Sequence, residues 1–180
     1  MIDALKSFIA QKFSTLSDGT SLIYPRFFLK ILEGQAFSVS HRFEAVGSDS
    51  SVSMYFENPS TSSRNVYVVA IEVVSTGQFW VDIYRENTIS ASGTQITPIN
   101  LNFSSGNTSV VYVEYGGTYT LGTSVHKTVA PGGSGIRALG GIVEVGESVV
   151  IPPNNNFVVV ATNKSASSED MSIRIIWWEE

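Results

Sequence analysis

The hydrophobic pattern of this chain changes its period near residue 34. Before that point the apolar residues recur at gaps of three and four, as on one face of an α-helix. They are Ile2, Leu5, Ile9, Phe13 and Leu16, with Phe8 at the flank. After that point helical periodicity is absent, and apolar residues alternate with polar ones or form short β-branched runs. The pattern predicts an N-terminal helical arm, residues 1–34, followed by a β domain, residues 35–180.

The arm has two interpretations that the sequence leaves open. Its apolar stripe packs on its own domain, or it docks on a partner subunit through Leu5, Phe8, Ile9 and Phe13. Asp18-Gly19 is expected to end the helix. The segment 22–32 fits either a strand or a second, short helix that has Pro25 in its first turn and stops at Gly34.

The β domain contains several segments with the pattern of strands. Residues 52–57 and 79–84 alternate between apolar and polar positions, which is typical of half-buried strands. Residues 66–74 are nearly all apolar, which favours a central strand covered on both faces. Further strands are predicted at residues 110–115, 141–145, 157–162 and 171–178.

The connections between these segments are short and rich in turn-forming residues. Ser75-Thr76-Gly77 has the length of a hairpin turn between two predicted strands. Residues 128–141 form a glycine-rich loop, and residues 152–156 an exposed turn. Seven or eight strands without room for crossover helices predict an all-β fold, an antiparallel jelly-roll-like β-sandwich.

Composition narrows the classes of function. Charged residues make up 15% of the chain and the net charge is −5, so Ser, Thr, Asn and Gly supply much of the polar surface, which suits packed assemblies. No cluster of Lys and Arg follows the pattern of a nucleic-acid interface. No apolar run reaches the ~20 residues of a membrane-spanning helix. The chain has no cysteine, which excludes disulfides and zinc–thiolate sites.

Few residues have the spacing of a catalytic or metal-binding motif. His41 and His126 are the two histidines, and we interpret both as surface or hydrogen-bonded residues. Gly132-Gly133-Ser134-Gly135 lacks the second glycine of a nucleophile elbow. Gly133-x-Gly135-x-x-Ala138 is a degenerate match to a dinucleotide loop, but it has neither the preceding core strand nor the following helix of that loop. We therefore expect no enzyme activity, no cofactor and no metal.

Glu72 is the unusual carboxylate, because it interrupts the apolar run of residues 66–74. A buried carboxylate requires a partner or a raised pKa. Three interpretations stay open: an ion pair with Arg85 or Arg174, a position at a subunit contact, or a hydrolase site built around Glu72 or Asp82.

The aromatic residues suggest a binding alternative. Trp80 and Tyr84 share one face of a predicted strand and would stack on a sugar ring. This arrangement would define a carbohydrate-binding, lectin-like module, for example one that attaches to a host surface. Trp177 and Trp178 are neighbours on another strand, so they point to opposite faces and at most one of them enters the core.

The β domain also resembles a known class of proteins over residues 56–180. The features that carry the resemblance are Asn58-Pro59, the strand 66–74, the run 81–85, the turn motif 93–102 and the aromatic-acidic end 175–180. Their order is similar to that in virion structural proteins of tailed bacteriophages and related viruses. In those proteins a β-sandwich decorates or caps a capsid, commonly as a trimer.

The resemblance implies a function without catalysis. The chain would be a capsid decoration protein located in the virion, a homotrimer that also contacts other virion proteins. The resemblance carries no active-site residues to this sequence.

Overall fold

The computed structural model describes residues 13–15, 21–23, 26–131, 143–144 and 149–180. Its helix is α1 (Arg26–Leu32). Its strands are β1 (Phe13–Thr15), β2 (Ser21–Ile23), β3 (Ala36–Val46), β4 (Ser51–Asn58), β5 (Val66–Ser75), β6 (Phe79–Arg85), β7 (Thr88–Ala91), β8 (Thr94–Gln95), β9 (Ile99–Asn100), β10 (Tyr112–Tyr115), β11 (Thr118–Thr120), β12 (Thr123–Ala130), β13 (Val143–Glu144), β14 (Val149–Ile151), β15 (Asn155–Asn163) and β16 (Glu169–Glu179).

Two antiparallel sheets form a β-sandwich, which confirms the predicted fold class. Sheet 1 has the strand order β12-β6-β15-β4-β10-β8, and sheet 2 has the order β13-β5-β16-β3-β9 with β14 also beside β5. Two small sheets, β7 with β11 and β1 with β2, complete the described strands. None of the described helices has the length and apolar character needed to cross a membrane.

The core lies between the two sheets and is filled by alternate residues of the long strands. On β6 the buried residues are Phe79, Val81 and Ile83, as their spacing predicted. The indole of Trp177 on β16 occupies the centre, 5.1 Å from the Phe56 ring centroid and 6.1 Å from that of Phe37. Burial of such large apolar side chains supplies much of the stabilisation, about 25 cal/mol per Å².

The link at Ser75-Thr76-Gly77 differs from its prediction. The strand before it, β5, belongs to sheet 2, and the strand after it, β6, belongs to sheet 1, so the predicted hairpin is wrong. Both strands face one core from opposite sides, and pairing them in one sheet would not enclose that core. The crossing is tight: a Cβ on Gly77 would lie 2.2 Å from Ser165 Oγ.

The apolar run on β5 also has a different cause from the predicted one. β5 lies inside sheet 2, but its second face is not fully covered, because Val74 is 37% exposed. The ladder with β16 shifts register between Ile176 and Trp177. The buried positions of β5 accordingly change from even residues, Val66 and Val68, to odd residues, Ile71 and Val73. A β-bulge thus explains why the sequence is apolar at consecutive positions.

The N-terminal segment is only partly as predicted. Of the two options for residues 22–32, the short helix is confirmed over Arg26–Leu32, and Gly34 follows it with φ +68°. Leu22 and Ile23 belong instead to the strand β2. Phe13 was predicted on a helix but begins β1, which pairs with β2, so the helical prediction is wrong there. Phenylalanine and threonine, which are Phe13 and Thr15 of β1, favour strands. Leu5, Phe8 and Ile9 lie outside the described residues.

Candidate functional site

A cavity of about 430 Å³ lies between the two sheets, where β12 faces β14. We call it the inter-sheet cavity. Its walls are mostly apolar and include Val68, Ile71, Ile83, Ile151 and Phe157. This volume is within the range of small-molecule pockets, which are typically apolar with a few polar groups that orient the ligand.

His126 places a polar atom inside this cavity. It lies on β12 opposite Ile83, and the register of β12 shifts between Ser124 and His126. Residues paired across a ladder share a face of the sheet, so the imidazole points inward as Ile83 does. Its Nε2 atom is buried and has no hydrogen-bond partner among the described residues. Buried polar atoms normally have a partner, so this nitrogen marks the cavity as a candidate binding site.

Arg85 supplies the positive charge of the same site. It ends β6 opposite Phe157, whose ring is buried in the core, so its side chain starts from the inner face. The Arg85 side chain is 59% exposed, and its Nε lies 3.6 Å from Glu86 Oε1. Because that separation exceeds a hydrogen bond, the fork of donors stays available to a ligand.

A second candidate site is an open depression on the outer face of sheet 1, which we call the Trp80 depression. It has a volume of about 440 Å³ and is lined by Trp80, Asp82, Lys127, Thr128 and Val129. The Trp80 indole is 45% exposed, and Lys164 Nζ lies 4.4 Å from the centroid of its ring. Tyr84 lies four residues along the same strand, about 13 Å away at the usual rise.

A cluster of carboxylates and tyrosines covers the outer face of sheet 1 at β4 and β10. Tyr112 donates a hydrogen bond of 2.6 Å to Glu114, which has no exposed surface. Tyr55 donates to Glu57 at 3.1 Å and stacks on Tyr119, with ring centroids 5.4 Å apart. The hydrogen bond to Glu114 is the largest of the causes that raise the pKa of Tyr112 to about 12, and burial raises those of Tyr55 and Tyr119.

This cluster was not recognisable in the sequence. The sequence holds one trace of it, a repeated Tyr-x-Glu spacing. Tyr55 and Glu57 on β4 have the same spacing as Tyr112 and Glu114 on β10. Such alternation is common on β-strands, so only the pairing of β4 with β10 distinguishes it.

Glu72 is explained by one of its three predicted interpretations. It lies directly opposite Arg174 in the ladder, and Arg174 Nη1 is 3.2 Å from Glu72 Oε2. The pair is on the outer face of sheet 2, whereas Asp82 is on the outer face of sheet 1. These two carboxylates therefore lie on opposite faces of the sandwich and do not form a pair.

The two histidines are on different strands and in different surroundings. His41 on β3 stacks on Tyr115, with ring centroids 3.6 Å apart, and burial lowers its pKa. His126 lines the inter-sheet cavity. The described residues contain no group of three or more His, Asp or Glu side chains that could hold a metal ion.

A scan against models of known protein families finds no match to this chain, and a comparison with curated proteins finds none either. The resemblance to virion structural proteins therefore stays a prediction.

Proposed function

We propose that this protein is a non-enzymatic structural component of a virion, a capsid-associated β-sandwich that assembles with copies of itself. The observation that supports the proposal is the placement of exposed apolar side chains at opposite edges of the sandwich. Sheet 2 ends at β9, and the edge strand β12 of sheet 1 lies at the other side, next to β14.

The β9 edge carries Phe103, which at 89% is the most exposed large apolar residue of the described part of the chain. Ile99 on β9 and Leu32 at the end of α1 are exposed as well. The carbonyl of Leu32 accepts a hydrogen bond of 3.1 Å from Asn102 Nδ2, which holds α1 beside this edge. Grouped exposed apolar residues indicate an interaction surface, whereas scattered ones do not.

The β12 edge carries Leu121, Val125 and Val129, all exposed. Because β12 is the last strand of sheet 1 among the described strands, its outer side is a potential pairing edge. Two different patches at opposite edges fit a head-to-tail contact between copies. Such a contact closes into a ring when the rotation permits, and three copies give the proposed trimer.

The oligomeric state tests the proposal. We expect light scattering after size exclusion to give a mass of three chains that falls on dilution. Phe103→Lys or Val129→Lys should shift the protein to the monomer, and Val74→Lys, which changes an exposed valine on the outer face of sheet 2, should not. A monomer at all concentrations would overturn self-assembly. The virion role is tested by mass spectrometry of purified virions. If the chain is not detected in them, the virion role is overturned.

The Trp80 depression supports a second candidate function, a carbohydrate-binding module for host-surface attachment. Trp80 offers an exposed ring, while Asp82 and Lys127 offer polar groups to sugar hydroxyls. A glycan array with the wild type and Trp80→Ala checks this function. Binding that disappears in the variant supports it, and an array without any bound glycan rejects it.

A further inference from the structure

We propose that the inter-sheet cavity binds a single-chain amphiphile with an anionic head group, of the chemical class of a medium-chain alkyl carboxylate. This proposal does not depend on self-assembly or on a virion role. It follows from three properties of the cavity: its walls, its buried imidazole and its charged rim.

The walls select an apolar ligand. Side chains from both sheets close the cavity, with Val68 and Ile71 on one side and Ile83 and Phe157 on the other. All four are almost fully buried. An alkyl chain placed between them exchanges contact with water for contact with these side chains, at about 25 cal/mol per Å² of apolar surface.

The rim selects the charge of the head group. Arg85 is the cationic residue among the described lining residues, and that lining contains no Asp or Glu. Its contact with Glu86 is a long one, 3.6 Å between two exposed side chains, and such pairs hold a side chain weakly. A carboxylate would accept two parallel hydrogen bonds from the guanidinium, which is the geometry that arginine favours.

The interior supplies one more polar contact. His126 Nε2 is buried without a partner among the described residues, and Asn155 also lines the cavity, at the start of β15. Each carboxylate oxygen has two acceptor sites, so a head group that accepts both bonds from Arg85 can also accept one from the interior, where His126 donates in its Nε2–H tautomer. An apolar ligand would leave the imidazole nitrogen unsatisfied.

The mouth of the cavity is formed by exposed residues. Val149 and Val150 on β14 and Val125 on β12 line it and are partly exposed to solvent. A large side chain at Val149 would block entry while leaving the buried walls unchanged. This position therefore separates binding in the cavity from binding elsewhere.

The test is isothermal titration calorimetry with decanoate below its micelle-forming concentration. We expect saturable binding of one decanoate per chain. Decyltrimethylammonium, which has the same tail and the opposite charge, should bind at least about tenfold more weakly. Equal affinity for the two compounds would overturn the assignment of an anionic head group, and no saturable heat with decanoate would overturn the site.

Matched variants locate the site. Arg85→Gln should weaken decanoate binding about tenfold. Arg42→Gln, which removes another exposed arginine beside a glutamate, should leave binding unchanged. Val149→Trp should abolish binding and Val74→Trp should not, with circular dichroism to verify that each variant is folded. Binding that survives Val149→Trp, or that Arg42→Gln weakens as much as Arg85→Gln does, would overturn the proposal.

Light scattering during the titration keeps this proposal separate from self-assembly. The titration is therefore repeated with the monomeric Phe103→Lys variant, in which no neighbouring copy covers Val125 at the mouth. Absence of decanoate binding by that variant rejects the cavity alone. A monomeric wild-type protein that still binds decanoate rejects self-assembly alone.

Discussion

The indole Nε1–H of Trp177 donates a hydrogen bond of 3.2 Å to Glu179 Oε1, and both side chains are fully buried. The same oxygen accepts from Ser109 Oγ at 2.5 Å and from the Val110 backbone N–H at 3.2 Å. Arg64 Nη1 lies 3.2 Å from the other oxygen. β16 therefore ends in a buried carboxylate whose acceptors are satisfied by four donors from three parts of the chain.

Glu179→Ala should destabilise the fold by about 3 kcal/mol, because it leaves the donors of Trp177, Ser109 and Val110 without an acceptor in the interior. Urea unfolding followed by tryptophan fluorescence measures the loss. The control is Glu44→Ala, whose side chain is 67% exposed and paired with Arg42. It should change stability by no more than about 0.5 kcal/mol. Similar losses in the two variants would contradict a special role for Glu179.

The ion pair of Glu72 and Arg174 should contribute little to stability. Its atoms are 3.2 Å apart, but the side chains are 30% and 44% exposed, so solvent screens the pair. A double-mutant cycle with Glu72→Gln and Arg174→Gln should give a coupling energy below about 1 kcal/mol, and added salt should reduce it. A coupling of several kcal/mol would show that the pair is desolvated, for instance under a partner subunit.

Strand positions could be predicted where one face of a strand is buried. The alternation of Phe79, Val81 and Ile83 specified a half-buried strand without any knowledge of its neighbours. Sheet membership could not be predicted in this way. Ser75-Thr76-Gly77 has a length that suits both a hairpin and a crossing between sheets, and only long-range pairing distinguishes them.

The same limit applied to the candidate site residues: the face of a strand could be predicted, but its long-range neighbours could not. The sequence predicted that Trp177 and Trp178 face opposite sides, and the structure buries Trp177 in the core and stacks Trp178 on Tyr67. It did not predict that α1 covers Trp178. His126 was interpreted as a surface or hydrogen-bonded residue, because its place in the cavity depends on the register shift in β12. Bulges change which face a residue occupies, and they have no reliable local signature.

The tyrosines on the outer face of sheet 1 should make the stability of the fold vary with pH in the alkaline range. The carboxylate of Glu114 raises the pKa of Tyr112 to about 12, against an ordinary value of about 10. Between these values the folded protein keeps a proton that the unfolded chain releases. The stabilisation is therefore complete below about pH 10 and is lost as the pH rises through about 12.

An absorbance titration of phenolate, with urea unfolding across the same pH range, checks this prediction. Glu114→Gln should bring the pKa of Tyr112 closer to its ordinary value, because the amide carries no charge. Glu86→Gln changes an exposed carboxylate of another strand end and should leave the titration unchanged. Ordinary titration of all tyrosines in the folded wild type would contradict the hydrogen bond to Glu114.

A side chain at Gly77 should destabilise the fold at the crossing between the sheets. A Cβ there would lie 2.2 Å from Ser165 Oγ and 2.6 Å from Glu169 Cδ. Ser165 Oγ also accepts a hydrogen bond of 2.9 Å from the Gln78 backbone N–H, so moving it breaks that bond. Gly77→Ala should cost about 1–3 kcal/mol, measured by thermal unfolding. Gly106→Ala is the control, because no described residue other than its two chain neighbours has an atom within 4 Å of its Cβ position.

We expect truncation to show that the stability of the sandwich depends on α1 and not on the residues before it. Among the described strands β1 and β2 pair only with each other, whereas α1 covers Trp178. The Arg26 guanidinium lies 4.5 Å and Lys30 Nζ 5.5 Å from the centroid of that ring. Removing residues 1–25 should leave the unfolding midpoint nearly unchanged. Removing residues 1–32 should cost about 1–3 kcal/mol, because it exposes Trp178 and removes both cations.

Circular dichroism and light scattering on the two truncated proteins distinguish the interpretations of the arm. If residues 1–25 dock on a neighbouring subunit, their removal lowers the oligomer mass and leaves the strand signal intact, because the sandwich does not need them to fold. If they pack on their own sandwich, their removal lowers the unfolding midpoint and leaves the oligomer mass unchanged. An unfolded protein after removal of residues 1–25 would contradict the division of this chain into an arm and a β domain.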